Sequence, residues 1–262
     1  MGSRVRLCAL LALALTGAAC GDREAAPAGP VVFAAASLQE VAGELAREFE
    51  RQQQVSVELN LAASNTLAQQ ILAAPGADVF LSADRHWVEV LDRAGRVVAG
   101  SRRALLGNRL VLIAANQAEL SVGRLEELAG ADFKFLALAD PEAVPAGRYA
   151  RGALEEIQVD GGTLWRAVSG RVAPALDVRA ALALVESDPR ILGIVYKTDA
   201  RQSERVRVLH EFPPRGAARV TYYGALVEDG DRPALGRRFL DFVAGSEGRR
   251  ITERHGFGAP AS

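Results

Sequence analysis

The chain has almost no cysteine. Of its 262 residues only Cys8 and Cys20 carry a thiol, and both lie near the start. From Gly21 onward there is none. The body is therefore expected to form no disulfide, no thiolate zinc site and no cysteine nucleophile. Lysine is nearly absent as well, with Lys134 and Lys197 the only two. The formal net charge is −1, so no basic excess marks a nucleic-acid-binding face. Histidine is sparse. His86, His210 and His255 are scattered along the chain and form no H-E-x-x-H pair. A nucleophile elbow, a phosphate-binding P-loop and a dinucleotide fingerprint are also missing. These absences remove the common hydrolase, nucleotide-binding and metalloprotease readings. No long apolar run follows the N-terminal one, so the body is expected to be soluble.

What is present begins with a leader. Arg4 and Arg6 precede an apolar run from Leu7 to Leu15. That run is too short to span a bilayer and reads as a signal peptide over residues 1–19. Gly17-Ala18-Ala19-Cys20 follows. The Gly17-x-Ala19 pattern fits cleavage after Ala19, and a cysteine in the next position resembles a bacterial lipoprotein signal, with Cys20 lipidated. Gly17 stands where such signals usually have leucine, which leaves a soluble secreted protein as the alternative. Residues 20–30 read as a polar, Pro- and Ala-containing tether.

The apolar content of 49% is ample for a packed core. The length suits one large domain or two lobes. Strand and helix patterns alternate from Val31. Residues 31–36 form an apolar run of strand length, and Leu38, Val41, Ala42, Leu45 and Phe49 recur at helical spacing. Val55 to Leu59 alternates as a strand. Leu67, Ile71 and Leu72 mark a helix. Residues 79–82, 109–114 and 135–139 read as strands, and Val178, Ala181, Leu182 and Val185 as a helical face. This alternation predicts an α/β architecture with mostly parallel sheets. Glu40, Glu44 and Glu48 share a helical face and are expected in solvent.

Four segments pass from an extended stretch into a helix start. Ser37 and Glu40 have capping-box spacing. Ser64, Asn65 and Thr66 offer polar caps ahead of a helix. Pro145 stands where a helix can begin, and Asp177 is a plausible N-cap. A helix N-terminus presents unpaired N–H groups and partial positive charge, so each could hold an anion without lysine or arginine. Each could equally be a capped helix and nothing more, and spacing alone does not bring the four together.

A resemblance does. FAAASL at 33–38, SNTLAQQI at 64–71 and GADVFLSAD at 76–84 occur in order. LLGNRLVLI at 105–113, DPEAVPAGRYA at 140–150, DVRAALALVE at 177–186 and LGIVY at 192–196 follow. Through these stretches residues 31–258 resemble the periplasmic molybdate-binding proteins of ABC transporters. The resemblance implies a two-lobed periplasmic-binding-protein fold of the type II kind. Each lobe would be a mostly parallel sheet flanked by helices, with residues 31–108 plus 220–258 in the first and 109–219 in the second. Molybdate or tungstate would lie in the interlobe cleft. The hydroxyls of Ser37, Ser64 and Tyr196 and the amides of Ala146 and Val178 would hold it. Molybdenum would be bound as the oxyanion, with no direct cation ligand and no cofactor. The implied protein is a periplasmic or extracytoplasmic monomer, anchored through lipid, that serves a membrane permease and catalyses nothing. Asn65 stands where the family commonly has serine. A binding protein for another oxyanion, such as sulfate, is the nearest alternative, and an enzyme built on the same fold is a further one.

Overall fold

The computed structural model describes residues 27–260. The expected leader, Cys20 and most of the expected tether lie outside the described residues. The chain runs through β1 (Ala28–Ala35), a 3-10 turn (Ala36–Leu38), α1 (Gln39–Gln53), β2 (Ser56–Ala62), α2 (Ser64–Ala73), β3 (Val79–Ser82), α3 (Arg85–Arg93) and β4 (Arg103–Asn108). Next come β5 (Leu110–Ala115), β6 (Phe135–Ala139), α4 (Pro145–Glu155), a short hairpin of β7 (Gln158–Val159) and β8 (Gly162–Thr163), and α5 (Leu164–Val168). β9 (Val172–Ala175), α6 (Val178–Ser187), β10 (Ile191–Tyr196), α7 (Lys197–Arg201) and β11 (Val206–Glu211) follow. β12 (Val220–Leu226), α8 (Pro233–Ala244) and α9 (Ser246–Arg254) come last.

Two five-stranded sheets result, in the orders β2-β1-β3-β12-β4 and β11-β5-β10-β6-β9. The chain leaves the first sheet at Asn108, enters the second at Leu110 and returns at Val220. The α/β fold with two sheets is as expected, and in each sheet four of the five strands share one direction while a single strand runs against them. In the first, β1, β2 and β3 are parallel while β12 runs against β3 and β4. In the second, β6, β9 and β10 are parallel while β5 runs against β10 and β11. The cause is the crossing itself. β5 and β12 each enter their sheet from the other lobe, so they run opposite to the strands whose carboxyl ends face that lobe. Helices cover the sheets, and β5 and β10 are buried along their whole length, as strands covered on both faces must be.

β1 starts at Ala28, inside the segment expected to be a tether. Ser56 N donates to Pro27 O at 2.9 Å, and Ala28 pairs with Ser56 before a register shift. Gly29 permits this approach, because a Cβ there would meet Ser56 O at 2.7 Å. Pro30, which lacks an N–H, falls within the irregularity, where a central strand tolerates it. α1 buries Val41, Ala42, Leu45, Ala46 and Phe49 and stops at Gln54, whose φ of 55° turns the backbone left-handed. Among the described residues no helix is long and apolar enough to cross a membrane.

Candidate functional site

The carboxyl ends of β1, β2, β3, β6, β9 and β10 are followed by the segments that meet between the lobes, the arrangement in which α/β sheets place their ligands. There the lobes border a cavity of about 10 Å³, on the scale of one water-sized body. Its lining includes Ser37, Ser64, Ala146, Val178 and Tyr196. The structure thus brings all five expected contact residues to one place. Among the described residues no lysine or arginine lines it, and Asp177 is the one charged member of the lining. A larger hollow of about 410 Å³ lies beside Arg109 and Lys197, yet both cations are paired with Glu211. The small cavity is the one that all five expected residues line.

Each donor is left available for a specific reason. Asp177 caps α6, and its Oδ1 accepts from the amides of Arg179 and Ala180 at 2.8 Å each. The N–H of Val178, first in the helix, is not among those it takes. In α4 the first residue is Pro145, which has no N–H, so the helix presents its amides from Ala146 onward. Gly147 allows this turn to press on the end of β6, since a Cβ there would meet Ala139 O at 2.0 Å. Ser64 Oγ accepts from Ala83 N at 3.0 Å. That contact uses an oxygen lone pair and leaves the hydroxyl proton for the cavity. Tyr196 is 1% exposed, and its hydroxyl has no hydrogen-bond partner among the described residues. Burial raises its phenol well above the ordinary range, so it stays protonated and remains a donor.

Ser37 behaves differently from its capping-box expectation. It lies in the 3-10 turn before α1, and the helix has no side-chain cap. Its Oγ is 2.9 Å from the hydroxyl of Tyr222 in β12, so a tertiary partner replaces the local one. Glu40 is drawn away too, pairing with Arg179 of the second lobe and not simply facing solvent. Glu44 pairs with Arg254 and His255, while Glu48 pairs with Arg51 on its own helix. Ser64, Asn65 and Thr66 form the first turn of α2 and do not precede it. Tyr222 and Asn108, both buried, are functional candidates absent from the sequence reading. Neither stands in a local pattern that signals a ligand, although Asn108 falls within the LLGNRLVLI stretch.

Contacts across the cleft place the lobes in a closed arrangement. Trp87 Nε1 donates to Ala143 O at 2.9 Å. Asp84, which caps α3 by accepting from Trp87 N, meets Arg148 at 3.4 Å. Burial raises the Asp84 carboxyl, and Arg148 opposes that shift. Arg179 bridges Glu40 and the fully buried Asp199, with Nε 2.6 Å from Asp199 Oδ1. The latter contact is close enough for an ion pair but outside hydrogen-bond alignment. Burial first, opposed by Arg179, pushes the Asp199 carboxyl up to about 7. Both arginines therefore meet carboxylates, and neither lines the cavity. Among the described residues no group of three or more His, Cys, Asp or Glu is placed to hold a metal ion.

Known proteins share the fold and much of the sequence. The family described as "Bacterial extracellular solute-binding protein" matches residues 30–258. The "Molybdate-binding protein ModA" of Escherichia coli (strain K12) is 38% identical over 248 residues, covering 93% of this chain and 94% of the relative. The protein of the same name from Haemophilus influenzae is 34% identical over 253 residues, covering 95% and 97%. Among solved structures, the periplasmic molybdate-binding protein of Azotobacter vinelandii shares the fold, with a TM-score of 0.76 at 22% identity. That match covers 88% of this chain and all of the other.

Proposed function

The chain belongs to the bacterial extracellular solute-binding proteins, in the family of the molybdate-binding proteins, and from that premise we propose that it captures molybdate and hands it to an ABC transporter. The observation that carries the reading is the small interlobe cavity whose lining brings together Ser37, Ser64, Ala146, Val178 and Tyr196 with no lysine or arginine among the described residues. The three hydroxyls and two helix amides they supply are neutral donors. A fully deprotonated oxyanion offers only acceptors and satisfies them. Hydrogen phosphate carries a proton that needs an acceptor, and an unmet buried donor costs about 1–3 kcal/mol. Tungstate, with the same charge and shape, is a second ligand of the site. Sulfate offers the same charge and the same acceptor-only oxygens, so the preference for molybdate over it rests on the relatives named for molybdate.

Ser37 and Ser64 act from the first lobe, residues 31–108 with 220–258. Ala146, Val178 and Tyr196 act from the second, residues 109–219. An anion touched from both sides stabilises the closed form by differential binding, and the permease reads that form. Among the described residues Asp177 is the one carboxylate lining the cavity, and its Oδ1 caps α6. The protein is thus a carrier and not an enzyme, acting as a monomer. Titration calorimetry with molybdate should give one anion per chain, with phosphate silent in the same cell. Phosphate heats that match molybdate would refute the donor-only site.

The leader and Cys20 support an extracytoplasmic protein tethered by lipid. Growth on labelled fatty acid should tag the wild type and leave Cys20→Ala unlabelled. An unlabelled wild type would mean a freely soluble secreted protein.

A further inference from the structure

We infer that Asn108 and Tyr222 are positioning residues that fix the direction of the Ser37 proton, and through it restrict the cavity to anions that carry no proton. This rests on the oxyanion-binding reading above. Neither residue lines the cavity, so both act through Ser37.

The direction follows from donor and acceptor counting. The Arg109 N–H donates to Asn108 Oδ1 at 2.8 Å. A backbone N–H must face an oxygen, and this fixes which end of the amide is which. Asn108 Nδ2 then faces Thr198 Oγ1 at 2.8 Å and the Tyr222 hydroxyl oxygen at 3.3 Å. An amide nitrogen only donates. The single proton of Tyr222 cannot point back at it and goes to Ser37 Oγ, 2.9 Å away. Ser37 accepts that bond, so its own proton turns to the cavity. Burial raises the Tyr222 phenol well above its ordinary range, which keeps the relay proton in place. Ser64 reaches the same outcome through the backbone N–H of Ala83, a donor that cannot reverse. The Ser37 arm can reverse, because a hydroxyl donates or accepts according to its neighbour.

Asn108→Asp reverses it with little change of shape. One carboxylate oxygen still accepts from the Arg109 N–H. The other replaces a donor with an acceptor, and the hydroxyls of Thr198 and Tyr222 turn to it. Tyr222 then presents lone pairs to Ser37, whose proton swings toward Tyr222. Ser37 Oγ now offers the cavity a lone pair, which suits hydrogen phosphate and repels a bare dianion.

The test is anion affinity of the full chain by calorimetry, with phosphate read by competition against molybdate, well above the pH at which carboxyls ionise. Asn108→Asp should weaken molybdate at least about tenfold, the scale of a lost hydrogen bond to a charged group. The molybdate-to-phosphate affinity ratio should fall by a similar factor. In a Ser37→Ala background the same substitution should leave the ratio within about twofold, because the effect passes through Ser37. Tyr222→Phe removes the donor that occupies the Ser37 lone pair and lets the Ser37 proton turn either way, so it should weaken molybdate about three- to tenfold and lower the ratio by less than Asn108→Asp does. A purely structural role would lower both anions alike in every background. An unchanged ratio in Asn108→Asp, or an equal change with Ser37 absent, overturns the proposal. Should Asn108→Asp fail to fold, wild-type affinity in Tyr222→Phe overturns it. A wild type that binds no oxyanion overturns the underlying reading, and this one with it.

Discussion

Tyr196→Phe should weaken molybdate binding about ten- to a hundredfold while leaving the ligand-free protein no less stable. A hydrogen bond to a charged group contributes about 1.5–3 kcal/mol, which sets the affinity range. The second half of the expectation comes from the structure. The Tyr196 hydroxyl is buried without a partner among the described residues, so removing it breaks no internal hydrogen bond. It relieves an unmet polar group, a change that is neutral or stabilising. The ring contact with Tyr222, at 5.7 Å between centroids, survives in phenylalanine. Calorimetry and thermal melting of the same preparation test both halves. Equal affinity in the variant and the wild type would take Tyr196 out of the contact set.

Molybdate should raise the melting temperature of the wild type by about 8–16 °C. A scavenging protein binds at micromolar or tighter, about −8 kcal/mol or more favourable. Ligand at a thousandfold excess over the dissociation constant adds about 4 kcal/mol to stability. For a domain of this size each kcal/mol moves the midpoint by about 2–4 °C. Tungstate should match molybdate at equal ionic strength, sulfate should give a much smaller shift and phosphate almost none. A larger shift with sulfate would move the reading to a sulfate carrier. No shift with any of the four, in protein dialysed free of ligand, would end the anion-binding reading. Trp87 offers an independent monitor of closure, since its indole N–H reaches across the cleft to Ala143.

Much of the local structure was legible. β3 and β6 fall at the expected residues, 79–82 and 135–139, because short apolar runs bounded by turn residues leave little freedom. Asp177 caps α6 as its spacing implies, a contact made within three residues. The misreadings share one feature, a tertiary partner competing with a local one. Ser37 and Glu40 have the spacing of a capping box, but Tyr222 and Arg179 take their side chains instead. β1 starts at Ala28 because β2 offers its edge to a segment whose composition reads as a tether. Mixed pairing could not be read from alternation at all, because the direction of β5 and β12 depends on which lobe the chain arrives from.

The sequence by itself determined the exclusions, the alternation of strands and helices, and the residue types able to donate without charge. Those depend on composition and short-range pattern, and through the ordered motifs it also determined the family. Only the tertiary structure decided that these residues meet at one cavity and which side chains lie beside them. Convergence requires the ends of two separate sheets to face one another. Proton direction requires Asn108, Tyr222 and Ser37, distant in the chain, to lie within hydrogen-bonding distance in sequence-independent order. A hydroxyl has no preferred role of its own, so its neighbours assign it.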